Sequence, residues 1–495
     1  MKIEKVVLVQ PNLRWVDWNF KTLWEIHPIN LCLIGAIIED QYDVTIIDAN
    51  IDDLSEQDFQ EKIAEMKPDL VGITLLTMEY GKTAHIAARL VKESNRDIIT
   101  VLGGIYASQA PEIAGEDPHL DYLVLGEGEV VFPALLDHLQ GRGEMPERGV
   151  APWRDGRRQT TCKAPFIQDL NALPMPAYHL VDYHRYANTL QRISVDSPRT
   201  LPYARLLTSR GCGIGCTFCE IESISGKAFR SRSVANIIKE MKFLKQEYGV
   251  TSVIFDDDNL YINRRRTREL CDAMVAENLN LKWNAIAVSV FYLNDAILEA
   301  MAASGCQYVD MAIESGVSRV LREIVHKPVK LDHVVRMVEK AKSLGIDVNT
   351  HFIIGFPGET WSEIRETIKF AESLDADYTK FFIYQPLPNT PLYKKVMEAQ
   401  SLRGGVNMKT ELNWSESQVI SDEFTSQDLR VLRAYEWDRL NFSCPDKMAN
   451  IARMMRISIE ELDKLRRDTL ASVALTTYPA INQEDKPKSL EMVAL

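Results

Sequence analysis

The sequence contains no uninterrupted apolar run of about 18 residues, the length that a membrane-spanning helix requires. It also begins without the basic segment, apolar stretch and small-residue cleavage site of a secretory signal. Its eight cysteines show no paired framework, and a chain of 495 residues needs no disulfide bonds to stabilise a small core. These absences predict a cytoplasmic protein with reduced thiols and no membrane span.

Positive charge is also scarce, because the formal net charge at pH 7 is -13. Nucleic-acid-binding surfaces are basic, so we expect no nucleic-acid partner. The local cluster Arg264, Arg265 and Arg266 is interpreted as the start of a solvated helix. With 46% hydrophobic and 26% charged residues, the composition is that of a folded, globular chain with two or three domains.

Residues 1–145 alternate short β-branched runs with amphipathic stretches, which predicts a parallel, doubly wound (Rossmann-like) α/β domain. The strands are predicted at 6–10, 44–48, 70–74, 98–102 and 122–126. Such sheets bind ligands beyond the C-terminal ends of their strands. The candidate residues at these ends are small or polar: Pro11, Asn12, Asp48, Thr74, Thr77, Gly103, Gly104, Gly126 and Glu127. Gly103 and Gly104 indicate either close approach of a bulky ligand or a tight strand-to-helix turn.

The remaining chain divides into three parts. Residues 146–200 show no sustained period and are interpreted as a connector. Over residues 201–395 the alternation resumes, and six strand–helix units predict a partial (β/α)6 TIM-type barrel with its chemistry at the C-terminal strand ends. Its strands are predicted at 205–209, 252–256, 282–287, 308–313, 348–354 and 379–384. Residues 396–495 have a helical pattern.

Three cysteines, Cys212, Cys216 and Cys219, follow the first barrel strand in the segment SRGCGIGCTFCEI, without a fourth cysteine nearby. Four thiolates close a structural zinc or iron–sulfur site, so three leave one metal position free for an outside molecule. A cluster with three protein ligands is favoured over zinc and over inert packing. Zinc would need a further ligand, and Cys271 and Cys306 each stand alone in an apolar pattern.

The spacing CxxxCxxC, with Phe218 before the last cysteine, resembles the signature of radical S-adenosylmethionine (SAM) enzymes, and the resemblance covers about residues 200–395. Further similar segments are FDDDNLY (255–261), AIESG (312–316) and FIIGFPGET (352–360). The resemblance implies that the three cysteines bind a [4Fe-4S] cluster, which cleaves SAM to a 5'-deoxyadenosyl radical. It places SAM near Phe218, Asp257, Glu314, Ser315, Gly355, Pro357 and Gly358. Asp256, Asp257 and Asp258 either face SAM or substrate or end a strand in water.

The segments LGGIYASQAP and DYLVLGEGE in the first domain resemble the cobalamin-binding domain of the B12-dependent branch of that family. The resemblance implies cobalamin at the candidate strand ends. The motif D-x-H-x-x-G, which supplies a lower axial histidine elsewhere, is absent: Asp117 and His119 come near it, but Tyr122 stands where the glycine should be. No axial histidine is therefore assigned.

By resemblance, SAM and methylcobalamin together imply methylation of an unactivated carbon or phosphorus centre in a small-molecule or natural-product precursor. An external electron donor such as flavodoxin or ferredoxin is expected, and no catalytic acid or base is assigned. A B12-dependent cyclase or rearrangement enzyme is the alternative. A methylthiotransferase would need three more cysteines before the trio, where only Cys32 and Cys162 occur. A cobalamin-binding regulator without catalysis is the remaining hypothesis.

Overall fold

The computed structural model describes residues 2–16, 27–190, 194–404 and 414–477. A seven-stranded sheet occupies the N-terminal part, in the order β2-β1-β3-β4-β5-β6-β7. Its strands are β1 Lys5–Gln10, β2 Asp43–Asp48, β3 Leu70–Leu75, β4 Ile99–Gly103, β5 Tyr122–Val124, β6 Val150–Arg154 and β7 Arg157–Arg158. The first five strands are parallel, which confirms the doubly wound sheet, whereas β6 and β7 pair antiparallel at one edge.

Helices cover both faces of this sheet, as buried parallel strands require. They are α1 Ile29–Ile38, α2 Glu56–Met66, α3 Gly81–Ser94, α4 Gly104–Gln109, α5 Pro111–Ala114 and α6 Gly128–Leu139. Phe59 and Ile63 of α2 pack into one core with α3, and α1 and α6 pack into another core on the opposite face. All six residues of β3 are buried between these layers, so this strand lacks a polar face.

A second sheet of six parallel strands forms the barrel part, in the order β15-β14-β13-β12-β11-β8. These strands are β8 Tyr203–Leu206, β11 Ser252–Phe255, β12 Lys282–Val288, β13 Cys306–Glu314, β14 Asp347–Ile354 and β15 Tyr378–Ile383. Each predicted barrel strand coincides with one of them within a few residues, and their sequential order confirms the partial (β/α)6 barrel. Two further strands, β9 Ser209–Arg210 and β10 Arg230–Ser231, form a separate antiparallel ribbon.

The helices of the middle part surround the barrel strands. They are α7 Tyr183–Asn188, α8 Ile221–Ile224, α9 Val234–Tyr248, α10 Arg264–Ala276, α11 Asp295–Ala303, α12 Leu331–Ser343, α13 Trp361–Ser373 and α14 Pro391–Glu398, with a π-helical turn at Val320–Val325. The end of α9 is set by Gly249, which adopts φ 66°. Helix α13 starts with a capping box, in which the Thr360 and Glu363 side chains each accept a backbone N–H of the other residue.

Three helices follow the barrel: α15 Ser426–Asn441, α16 Pro445–Met455 and α17 Ile459–Thr477. Helix α15 lies against the edge strand β15, where Asn441 accepts the Thr379 backbone N–H at 2.7 Å and donates to its carbonyl at 2.9 Å. This helix thus satisfies backbone groups that an edge strand would otherwise expose. Among the described helices, none is both long enough and apolar enough to cross a bilayer.

Candidate functional site

A cavity of about 620 Å³ lies between the N-terminal sheet and the barrel. The sheet domain contributes five of the predicted residues to its lining: Thr74, Gly103, Gly104, Gly126 and Glu127. The barrel part contributes several polar side chains, including Arg205, Arg210, Asp256 and Asp258. The cavity is therefore shared by the two halves of the chain, as a site for reaction between two bound groups would need.

Glycines give the sheet side of the cavity a surface of bare backbone. Gly104 has φ +84°, and a Cβ there would lie 2.7 Å from the Leu75 carbonyl oxygen. Gly103 is in extended conformation, and a Cβ on it would meet nothing closer than 3.8 Å. Gly128, in the GEGE segment that resembles a cobalamin-binding domain, also lines the cavity, as does Gly72, which was not predicted. A large flat ligand such as a corrin ring can approach such a surface closely, so these residues fit cobalamin.

Four other candidates at the strand ends, Pro11, Asn12, Asp48 and Thr77, do not line the cavity. Asp48 is buried and accepts the Tyr186 hydroxyl at 2.8 Å. Asn12 is buried and donates from its amide nitrogen to the Asp53 carboxylate at 3.2 Å and the Leu54 carbonyl at 3.1 Å, so it fixes the loop after β2. Pro11 beside it is also buried, and Thr77 lies in the loop after β3. His119, the near match to an axial ligand, contacts Asp117 at 2.8 Å outside the cavity lining.

The three cysteines lie on one loop, residues 211–229, which starts and ends at the β9–β10 ribbon. Gly211, directly before Cys212, and Gly215, directly before Cys216, have φ values of +90° and +78°, which residues with a side chain rarely adopt. All three thiols are free. Burial raises the pKa of Cys216 to about 12 and of Cys219 to about 11, so without a metal both are neutral thiols. Thiolates in such a place need a cation, which fits an iron–sulfur cluster.

The loop after β13 lies against the cysteine loop. Thr217 donates its backbone N–H to the Val325 carbonyl at 3.0 Å and its hydroxyl to the Ile324 carbonyl at 2.5 Å. Shortly beyond, the buried Lys327 ammonium contacts the Glu314 carboxylate at 2.7 Å. Glu314 itself adopts φ 74° at the end of its strand, a strained conformation that this ion pair helps to hold.

Apart from Phe218, which lies in the cysteine loop, the other residues predicted for SAM lie at barrel strand ends; none of them lines the cavity. Ser315 packs against α13 through a 3.0 Å contact between its hydroxyl and that of Thr367. Phe218 packs against Phe356, with ring centroids 5.8 Å apart and the rings tilted by 55°. A Cβ on Gly355 would collide with Leu429 of α15, so this glycine serves helix packing; Pro357 and Gly358 follow it in the same loop.

The three consecutive aspartates after β11 have different environments. Asp256 pairs with Arg205 across the cavity wall, with an Nε to Oδ2 distance of 2.6 Å. Asp257 is buried and accepts from the Thr208 hydroxyl at 2.8 Å, and burial raises its pKa to about 6. Asp258 accepts the Gly211 backbone N–H at 2.7 Å. Asp256 and Asp258 line the cavity, whereas Asp257, the residue predicted for SAM, holds the start of the cysteine segment.

The chain is similar to known families over both halves. A model of the radical SAM superfamily matches residues 206–371, and a model of the B12 binding domain matches residues 21–136. An uncharacterized methyltransferase of Pyrococcus horikoshii is 32% identical over 82% of this chain and 85% of its own length. Cytidylyl-2-hydroxyethylphosphonate methyltransferase of Streptomyces wedmorensis is 29% identical over 80% and 82%. An anaerobic magnesium-protoporphyrin IX monomethyl ester cyclase of Rubrivivax gelatinosus is 28% identical over 72% and 63%.

Two solved structures share the fold. The radical SAM methyltransferase TsrM from Kitasatospora setae, with cobalamin and a [4Fe-4S] cluster bound, has a TM-score of 0.66 and 20% identity, covering 81% of this chain and 76% of its own. The cobalamin-dependent SAM radical enzyme OxsB, with aqua-cobalamin and SAM bound, has a TM-score of 0.70 and 15% identity, covering 100% and 75%. Both confirm the arrangement of an N-terminal parallel sheet followed by a partial barrel.

Proposed function

Because the chain belongs to the cobalamin-dependent radical SAM methyltransferase family, we propose that it methylates an unactivated carbon or phosphorus centre of a small molecule. The cofactors of the family are a [4Fe-4S] cluster, SAM and cobalamin. The observation that carries the proposal is the shared cavity, which is lined on one side by the glycine-rich strand ends and on the other by barrel residues. Methyl transfer between two cofactors and a substrate needs one such common space.

Different residues of the chain bind the different cofactors. Cys212, Cys216 and Cys219 hold the cluster, and the backbone at Gly103 and Gly104 carries the corrin ring. When bound, the cluster and SAM supply a radical that removes a hydrogen atom, and methylcobalamin supplies the methyl group. Glu314 and the loop at Gly355, Pro357 and Gly358 would hold SAM at the barrel strand ends. Ser315, Phe218 and Asp257 would act indirectly as positioning groups, since they contact Thr367, Phe356 and Thr208.

The barrel wall of the cavity orients the substrate. Arg205 and Asp256 form a neutral pair there, and Asp258 adds a second carboxylate. A substrate with hydrogen-bonding groups can pair with these side chains. Its reacting carbon or phosphorus then lies toward Gly103 and Gly104 on the sheet side of the cavity. An external reductant such as flavodoxin or ferredoxin supplies the electron. We also propose a cytoplasmic location and the domain boundaries that the sequence predicts, at residues 145, 200 and 395.

A labelling experiment tests the proposal. Anaerobically reconstituted protein, loaded with cobalamin, is reduced and incubated with SAM that carries a labelled methyl group and with small-molecule extracts. We expect label in a small-molecule product together with 5'-deoxyadenosine. The Cys216→Ala variant should give neither, whereas Cys162→Ala, at an exposed thiol, should behave as wild type.

The cyclase alternative rests on the relative from Rubrivivax gelatinosus, a magnesium-protoporphyrin ester cyclase. That relative is less similar to the chain than the two methyltransferases, and the chain covers less of its length. Formation of 5'-deoxyadenosine with a consumed substrate but without label in any product would favour cyclisation or rearrangement over methylation.

A further inference from the structure

The ribbon β9–β10 brackets the cysteine loop, because residues 211–229 leave from Arg210 and return at Arg230. These two arginines are directly opposite each other in the antiparallel register. Like charges in such a pair repel each other, and both side chains are largely buried, with exposures of 13% and 4%. The base of the loop therefore requires negative charge from elsewhere in the molecule.

That charge comes from the N-terminal domain, at the start of α6. The Glu127 carboxylate lies between the two arginines, 3.0 Å from Nη1 of Arg210 and 2.9 Å from Nη1 of Arg230. Glu129 contacts Nη2 of Arg210 at 2.5 Å. Two carboxylates thus neutralise two guanidinium groups across the boundary between the halves of the chain. We name these four residues, Glu127, Glu129, Arg210 and Arg230, the interdomain clamp.

Further hydrogen bonds hold the clamp rigid. Glu127 also accepts the Ile167 backbone N–H at 2.6 Å, and Arg230 donates to the Ile167 carbonyl at 2.6 Å and the Ser225 carbonyl at 2.7 Å. A second attachment joins the middle of the cysteine loop to α4, where the Ser223 hydroxyl donates to the Gln109 side-chain oxygen at 3.0 Å. Since α4 begins at Gly104, the loop is attached to the same element that lines the cavity.

We infer that the interdomain clamp fixes the distance between the cysteine loop and the strand ends at Gly103 and Gly104. Its four side chains are then positioning residues for methyl transfer between the cofactors. The inference rests on the proposed function for the identity of those cofactors. It pairs the carboxylates of the GEGE segment with the arginines of the ribbon. Glu127, Glu129 and Arg210 therefore form part of the cavity wall, together with the glycines of that segment. Because each guanidinium group pairs with particular carboxylates, these ion pairs allow only one distance between the two halves of the chain.

The test uses the full chain with cluster and cobalamin, and compares wild type with Glu127→Gln, Glu129→Gln and the double variant. Pulsed electron paramagnetic resonance measures the distance between cob(II)alamin and the reduced cluster. At saturating cobalamin we expect the double variant to hold both cofactors but to give a broadened distance distribution. Its rate of cob(I)alamin remethylation by SAM, which needs no substrate, should fall at least tenfold, while SAM cleavage changes less than twofold.

Glu222→Gln is the matched control, since Glu222 forms an exposed ion pair with Lys227 within the same cysteine loop. It should leave the distance and the remethylation rate unchanged. If the double variant loses its cluster, Arg210→Lys, which keeps the charge but not the two-pronged contact, provides the measurement. An unchanged distance distribution and remethylation rate in whichever of these variants retains both cofactors would overturn the inference.

The two proposals fail in different ways. If wild-type protein binds no cluster or no cobalamin, the proposed function is wrong and the clamp has no cofactors to position. If the wild type holds both and the clamp variants match it in distance and rate, the function stands and the clamp is only a structural contact.

Discussion

Glu359 is a carboxylic acid in the interior of the barrel part, at the start of α13. One of its oxygens accepts the backbone N–H groups of Gly355 and Phe356 at 2.8 and 3.0 Å. Burial raises its pKa from 4.5 to about 8, so at neutral pH the neutral acid is the favoured form. The side chain thus holds the turn of the GFPGET segment closed.

This environment predicts a pH-dependent effect of Glu359→Gln. As the pH rises from about 4.5 to 8, the unfolded carboxyl releases a proton that the folded protein keeps, so the group destabilises the fold progressively. Because glutamine does not titrate, the free energy of unfolding of Glu359→Gln should rise relative to that of wild type over this pH range. Glu359→Ala should lose about 1–3 kcal/mol at low pH, because two N–H groups lose their acceptor. Chemical denaturation at several pH values measures both effects, and parallel curves for wild type and glutamine variant would contradict the interpretation.

At the scale of elements, the ends of the sheet strands determine what the cavity can accept. Gly103 ends β4 in an extended conformation and Gly104 begins α4 with positive φ, so the two neighbouring glycines are needed for different reasons. Gly104 is required by the turn, since a Cβ would strike the backbone of β3. Gly103 has room for a side chain, and that room is the cavity itself.

Gly103→Val should therefore keep the fold and weaken cobalamin binding. The new side chain has no backbone to strike, so we expect a change in unfolding free energy of less than about 1 kcal/mol. Because its methyl groups fill space at the cavity wall, the dissociation constant for cobalamin should rise at least about tenfold, or about 1.4 kcal/mol. Equilibrium binding followed by absorbance measures this change. Gly404→Val, at an open position away from the cavity, is the control, and equal affinities in both variants would place cobalamin elsewhere.

The sequence predicted the parallel strands well because each is a buried apolar run between helices, a pattern that is local. It did not predict β6 and β7, since two short antiparallel strands, one interrupted by Pro152, carry no period. The separate roles of Asp256, Asp257 and Asp258 were also undetermined, because identical neighbours are distinguished only by the direction in which the folded chain points them. Contacts such as Glu127 to Arg230, more than 100 positions apart, leave no local signal.

At the scale of the whole molecule, His27 joins the N-terminal domain, the connector and the barrel. Its ring lies 4.6 Å from that of Tyr203 in β8, and Nδ1 contacts the Tyr183 hydroxyl of α7 at 3.2 Å. Burial, together with the charge of Arg205, lowers its pKa from 6.5 to about 3. His27 is thus neutral at this junction, because protonation would place a positive charge within a buried cluster of aromatic rings.

Protonation of His27 should weaken the junction in mild acid. Below about pH 6.5 the unfolded chain binds a proton that the folded chain excludes, so stability falls as the pH decreases toward 3. His27→Phe removes this titration, and the difference in melting temperature between wild type and variant should shift in favour of the variant from pH 7 to about 5. His179→Gln, at an exposed position, should follow wild type. A pH-independent difference for His27→Phe would show that the ring is not excluded from protonation.

The ribbon that brackets the cysteine loop limits how this chain can be recombined. A barrel transplanted onto a foreign cobalamin domain would bring two opposed guanidinium groups to a surface without matching acids, and a foreign barrel grafted here would leave two acids unmatched. An active chimera must therefore exchange both arginines and both glutamates together. The contact between the two halves depends on all four side chains and cannot be transferred with one half alone.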